Sequence, residues 1–108
     1  MKKLFEKGNS FLGTKYPILG GAMTWVSESN LVSAISNAGG LGVLACGSMD
    51  TIKLESEILL TKKKTHKPFG VNLILLHPEI DELIDCCIIN NVHTVSYTHL
   101  RAHETYDH

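Results

Sequence analysis

Apolar residues fall into short unbroken runs, and the stretches between them carry helical spacing. Tyr16 to Leu19 is such a run, entered through Pro17 and closed by Gly20-Gly21; it predicts a first strand. Ser27 is placed to cap a following helix, with Glu28 at the positive end of its dipole. Leu31, Ala34, Ile35 and Ala38 then recur at i, i+3, i+4 and i+7 and predict one buried stripe. Gly39 stands where a helix end needs a left-handed residue. Leu41 to Ala45 predicts a second strand. Asp50 predicts a cap for a second helix, with Leu54 and Ile58 as its core pair and Lys62-Lys63-Lys64 at its negative end. Pro68 stops any continuation. Phe69 to Leu76 is apolar on both faces except at Asn72, the mark of a parallel strand covered by helices on either side. Pro78 suits a first helical turn, and Ile80, Leu83, Ile84, Cys87 and Ile88 form a full apolar stripe. Asn90-Asn91 marks its end, and Val92 to Val95 opens a fourth strand. Each crossover carries a helix, so the expected class is α/β with parallel strands and βαβ crossovers.

Composition narrows the function without naming it. The 108 residues give room for one small domain, and a complete (β/α)8 barrel needs roughly 200 or more. The formal charge of −1 supplies no field for a polyanion, so no nucleic acid partner is expected. No membrane association is expected either: no run approaches the roughly 18 apolar residues of a membrane span. The N-terminus has basic residues but no apolar stretch of about 7–15 residues behind them, so it does not read as a secretory signal. Cys46, Cys86 and Cys87 are odd in number and lack Cys-x-x-Cys spacing. Neither a disulfide framework nor a metal site is expected, and the cytoplasm is the expected compartment.

Two glycine clusters need separating. Gly39-Gly40-Leu41-Gly42 follows a helix and precedes a strand, whereas a phosphate loop follows a strand and opens a helix. It reads as a helix cap and tight turn. Gly20-Gly21-Ala22-Met23 has the opposite context, leaving the carboxyl end of a strand, where α/β folds bind ligands. Small residues there let the backbone approach a flat ligand with amides free to donate; a plain βα turn accounts for the pattern equally well. Asn72 is a single amide inside an apolar run, and leaving it unpartnered would cost about 1–3 kcal/mol. Its partner is either a neighbouring backbone group or a polar ligand at the strand ends. Cys87 reads as a small core residue and Cys86 as its neighbour with no special role. Cys46 ends the second strand on the Gly20-Gly21 side, with nothing nearby in sequence to lower its pKa. His77 reads as a helix cap more than a base, and His66 and His93 lack the partners of a base or ligand. Trp25 is expected to pack over a barrel end or to line a pocket.

Three segments, taken together, carry a likeness: Tyr16-Pro17-Ile18-Leu19-Gly20-Gly21-Ala22-Met23-Thr24-Trp25-Val26-Ser27, then Ser36-Asn37-Ala38-Gly39-Gly40-Leu41-Gly42-Val43-Leu44, then Lys67-Pro68-Phe69-Gly70-Val71-Asn72-Leu73. Over about residues 12–95 the chain resembles the start of the nitronate monooxygenase (2-nitropropane dioxygenase) family, which includes FMN-dependent enoyl-acyl-carrier-protein reductases. The resemblance implies the N-terminal half of a (β/α)8 barrel holding FMN at the carboxyl ends of its strands. It places the flavin against the backbone of Gly21, Ala22 and Met23 and makes Asn72 a flavin contact. Family members usually carry Gln where this chain has Gly20, so a side-chain contact there is lost. The family's catalytic His lies downstream of residue 95, so none of the six His inherits that role and the catalytic residues are unknown.

The expected activity of the parent is oxidation of alkyl nitronates to carbonyl compounds and nitrite; reduction of enoyl thioesters is the alternative. Its partner would be a small-molecule substrate. Composition shifts near Val95: Ser96 to His108 holds three of the six His and the only Arg, after nine Lys and no Arg. Ser96-Tyr97-Thr98-His99-Leu100-Arg101-Ala102-His103-Glu104-Thr105 resembles translated sequencing-adapter read-through. Residues 1–95 are thus expected to be barrel, and 96–108 a foreign or disordered tail. As written, the chain is expected to be an inactive fragment with two open strand edges and an exposed apolar inner face. Such a half-barrel is expected to self-associate.

Overall fold

The computed structural model describes residues 2–99. In chain order the elements are α1 (Lys2–Leu12), β1 (Leu19–Gly20), α2 (Ser29–Asn37), β2 (Leu41–Ala45), α3 (Thr51–Lys64), β3 (Phe69–Ile74), α4 (Ile80–Ile89) and β4 (Thr94–Thr98). The strands form one parallel sheet in the order β1-β2-β3-β4, with registers Gly20↔Gly42, Ala45↔Asn72 and Asn72↔Ser96. This is the α/β arrangement expected, the N-terminal half of a (β/α)8 barrel.

Side-chain alternation divides the sheet into two faces. On the helix face Leu44, Cys46, Phe69, Val71 and Leu73 meet Val32, Leu54, Ile58, Leu83, Cys86 and Cys87 in one core. Each large aliphatic buried there contributes about 1.5–3 kcal/mol. On the inner face Leu41 and Val43 are covered by Leu12 of α1 and by Ala22. The other half of that face is polar: registers align Asn72 with Ser96 and put Thr94 and Thr98 beside Gly70 and Ile74. The expected apolar inner face is therefore apolar over β1 and β2, at Leu19, Leu41 and Val43, and at Ile74, and polar at Asn72 and along β4.

Several elements differ from the sequence expectation. β1 has two ladder residues rather than four. Pro17 has no N–H to give, and Tyr16 donates to the Gly39 carbonyl at 2.9 Å, so pairing starts only when Leu41 donates to the Ile18 carbonyl. α1 has no counterpart in the expectation. Leu4, Phe5, Gly8, Phe11 and Leu12 recur at i, i+1, i+4, i+7 and i+8, a helical stripe that the expectation, which begins at Tyr16, leaves out, although Leu4, Phe5 and Phe11 are exposed here. β3 stops at Ile74, because His77 N–H turns back to the Ile74 carbonyl. Ile88 is exposed and Cys86 buried in its place; Ile88 faces a groove with Val92, Val95 and Tyr97 beside the open β4 edge. Trp25 is 77% exposed and packs over nothing, because its left-handed backbone (φ 70°) in the turn throws the ring outward.

α2 gives the largest correction. The predicted stripe of Leu31, Ala34, Ile35 and Ala38 is half-buried or exposed, while Ser29, Val32, Ser33 and Ser36 face the sheet. The cause is close approach. A Cβ on Gly42 would lie 2.3 Å from the Val32 carbonyl oxygen, so helix backbone rests on strand backbone and only small side chains fit between. Ser36 Oγ accepts the Gly42 N–H at 3.1 Å, satisfying a buried strand amide from the helix. Nor does Ser27 cap this helix: Glu57, buried to 3%, reaches across from α3 and accepts the Ser29 N–H at 3.1 Å. Lys53 balances that carboxylate at 3.7 Å. The expected Asp50 cap is present, accepting the Lys53 N–H at 2.7 Å, and Gly39 ends α2 at φ 103°.

Gly42→Ala is expected to destabilise the chain by about 1–3 kcal/mol, since neither backbone can yield cheaply. Urea melts followed by circular dichroism measure it; an unchanged midpoint would show that α2 does not rest on β2 in this way.

Candidate functional site

The carboxyl ends of the strands form the rim on which the predicted site residues were sought. Gly21, Ala22 and Met23 leave β1 there and enter a tight turn. Met23 N–H donates to Ser27 Oγ at 2.9 Å, and Ser27 Oγ donates to the Gly21 carbonyl at 3.3 Å. Val26 and Ser27 N–H groups both reach the Met23 carbonyl. The Met23 amide is thus used inside the turn rather than offered outward. A Cβ on Gly21 would meet nothing within 4 Å, whereas one on Gly20 would strike Ile35 Cδ1 at 2.5 Å. Gly20 serves helix packing, and Gly21 leaves backbone open on the rim. Ala22 turns inward onto the inner-face cluster, and Met23 is half exposed.

Ser27 also ties this turn to the rest of the rim. Its carbonyl accepts the Ala45 N–H at 3.2 Å, and Ala45 is the register partner of Asn72. Asn72 lies on the inner face two residues before β3 ends, at the same end of the sheet as the double-glycine turn. Both therefore share one rim, two strands apart. The carboxamide is partnered by side chains rather than by the backbone groups considered from sequence. Ser96 Oγ donates to Oδ1 at 2.7 Å, and Nδ2 donates to Thr98 Oγ1 at 3.0 Å. These bonds orient the amide, its oxygen toward Ser96 and its nitrogen toward Thr98, whose Oγ1 also lies 3.5 Å from Oδ1, and among the described residues they leave one N–H uncommitted.

The remaining candidates are structural. Cys46 does not face the rim. It is fully buried on the helix face and donates to the Asn72 carbonyl at 2.9 Å. Burial, with the Cys87 thiol next in effect, pushes its pKa up to about 12, and burial pushes Cys87 up to about 11. His77 accepts the Glu79 N–H on Nδ1 at 2.9 Å, which assigns its proton to Nε2, 2.8 Å from the Met49 carbonyl. It braces the turn leading into α4, whose N-cap position is Glu79 rather than His77. Among the described residues no three His, Cys, Asp or Glu side chains gather as a metal site, and no helix is long and apolar enough to cross a membrane.

Sequence reasoning missed Ser27 as the organiser of the turn and the hydroxyls opposite Asn72. The second was visible as alternation: Thr94, Ser96 and Thr98 recur with period two on the strand that pairs with β3.

Comparison with known proteins points one way. A family model described as nitronate monooxygenase matches residues 6–104. The chain is 40% identical over 86 residues to a 5-hydroxy-7a-methyl-1-oxo-octahydro-1H-indene-4-carboxyl-CoA dehydrogenase of Rhodococcus jostii, covering 80% of this chain and 24% of the relative. It is 42% identical over 64 residues to a probable nitronate monooxygenase of Staphylococcus haemolyticus, covering 59% and 18%. The structure of FabK from Thermotoga maritima superposes with a TM-score of 0.82 at 40% identity, over 84% of this chain and 29% of that one. The chain thus spans a quarter or less of the length of these curated relatives.

The raised thiol pKa values carry a sign. Folding keeps Cys46 and Cys87 protonated above the ordinary 9.0, so the folded state holds more protons there and stability must fall with rising pH. The expected loss begins near pH 9 and runs toward pH 11–12, measurable as a falling melting temperature. Native chain is also expected to leave both thiols unmodified by an aromatic disulfide reagent that titrates them in denaturant; rapid native labelling of Cys46 would contradict its burial.

Proposed function

The chain belongs to the nitronate monooxygenase family, and on that footing we propose that it is the flavin-facing start of an FMN-dependent enzyme oxidising alkyl nitronates. Family membership supports an oxidoreductase; the finer reading rests on the rim. The observation that carries it is the pairing, at one end of the sheet, of an open backbone at Gly21 with a lone inner-face carboxamide at Asn72. Those features fit a flat, polar-edged ring system. When bound, FMN would supply the electron acceptor for the substrate.

The chain's own residues hold and orient. Gly21 gives the ring a side-chain-free surface. Ala22 closes the inner face beneath it, and the half-exposed Met23 side chain offers apolar contact at the edge. Asn72 donates through its uncommitted N–H. No described residue is assigned as the base.

Reduction of enoyl thioesters is the second reading. Its thioester substrate class, though not the direction of reaction, is supported by the 40% identity to a relative named as a carboxyl-CoA dehydrogenase. Oxygen uptake with an alkyl nitronate, set against NAD(P)H oxidation with an enoyl thioester, separates the two on protein expressed from the complete locus. Nitronate turnover with no thioester reduction is expected, and the reverse would overturn the first reading. In that protein Asn72→Ala is expected to weaken FMN binding by roughly 5–100-fold, the worth of one or two hydrogen bonds to a buried ligand. Unchanged flavin affinity would remove Asn72 from the site.

The domain boundary belongs to the same proposal: residues 1–95 are barrel, and 96–108 are read-through sequence. β4 runs to Thr98, so three of those residues complete a strand, while 100–108 lie outside the described residues. Ser96 and Thr98 are then stand-ins that satisfy an amide whose natural partner is different. Sequencing the locus from source DNA is expected to show other codons after about Val95; the same tail ending in a genuine stop would defeat this. The 108-residue chain alone is expected to bind FMN weakly or not at all, its open edges favouring self-association.

A further inference from the structure

The outward face of α3 is apolar where a barrel helix has no need to be. Leu54, Glu57, Ile58 and Thr61 face the core. At about 100° per residue, Ile52, Ser56, Leu59 and Lys63 lie on the opposite side, with Glu55 and Leu60 flanking them. Ile52 is 82% exposed and Leu59 47% exposed, and Glu55, Ser56 and Lys63 are exposed around them. This face points away from the sheet and from the core that α3 shares with it.

Its charges are arranged about a centre. Glu55 and Lys63 each lie four residues from Leu59, about 6 Å along the axis in opposite directions. Two such helices packed antiparallel about a two-fold axis at Leu59 would bring each Glu55 beside the partner copy's Lys63, twice over. Ser56 leaves room for the helices to approach, and each Ile52 lies along the aliphatic stem of the facing Lys63. A two-fold contact requires a surface complementary to itself, and an apolar centre with opposite charges equally spaced on either side has that property. We propose that the outer face of α3 is a self-association surface, and that its occupant is α3 of a second copy of this chain. One helix face buries less than about 1,200 Å² in total, so the dimer is weak and exchanging.

Cysteine cross-linking of the full 108-residue chain tests this independently of the open sheet edges. The native thiols are buried, so an introduced surface cysteine is the one that reacts. Leu59→Cys, on the axis, is expected to form a disulfide-linked dimer at least tenfold faster than Ile52→Cys. The latter lies on the same face, but about 10 Å off the axis and about 20 Å from its mate. In the Leu59→Cys background, Glu55→Lys is expected to slow cross-linking about tenfold and Glu55→Lys with Lys63→Glu to restore it, since attraction becomes repulsion and then attraction again. Circular dichroism identical across the set shows that folding is unaffected, as these side chains are exposed. Equal rates for Leu59→Cys and Ile52→Cys, or charge reversal without rescue, would overturn the proposal and leave the open edges or another partner as the route of association.

Discussion

The contact between the Gly42 backbone and the Val32 carbonyl governs the N-terminal half of this sheet. It exists because one strand residue lacks a side chain and one helix face is made of serines. With α2 seated that low, Ser36 can take the Gly42 amide, which the two-residue β1 leaves to the helix. The helix start then falls within reach of Glu57, so α2 is capped from α3 rather than by a residue next to it in sequence. The same seating fixes where the chain must cross from β1 to α2. Ser27 sits in that crossing and binds both ends of the turn that carries Gly21 to Met23. The geometry of the rim is therefore set from below, by backbone packing.

Strands and their order were legible because strands buried on both faces leave an apolar run that nothing else explains. Asp50 and Gly39 were legible because caps use few residue types for a definite reason. α2's face was not legible. Periodicity assumes that helices bury their largest apolar side chains, and here close approach selects the smallest. Leu31 and Ile35 gave the stronger signal, yet the sheet took Ser29, Ser33 and Ser36. α1 was legible and passed over: Leu4, Phe5, Phe11 and Leu12 keep helical spacing, although Leu4, Phe5 and Phe11 are left exposed.

The site was half legible. A lone amide in an apolar run announces that something polar must meet it, and Asn72 is so met. Sequence could not say by what, since the answer depends on register, and a shift of one residue would turn β4's hydroxyls to the other face. Cys46 shows the same parity from the opposite side. It ends β2 at the rim, but falls one position out of phase with Ala45, and so goes into the helix-face core. There burial, rather than any acidic or basic neighbour, decides its chemistry.

Parity also explains why the rim can serve a ligand while the sheet beneath it stays folded. Helix-face positions of β2 and β3 are apolar throughout, so stability is carried on the side away from the rim. Inner-face positions grow more polar from one strand to the next, from Leu41 and Val43 on β2 through Asn72 on β3 to the β4 hydroxyls. A ligand drawing on Asn72 and the open Gly21 backbone would compete only with hydroxyl partners, never with the core. An acceptor meeting the remaining Asn72 N–H would leave the hydrophobic contacts of the sheet unchanged, which is the condition a reversible cofactor site has to meet.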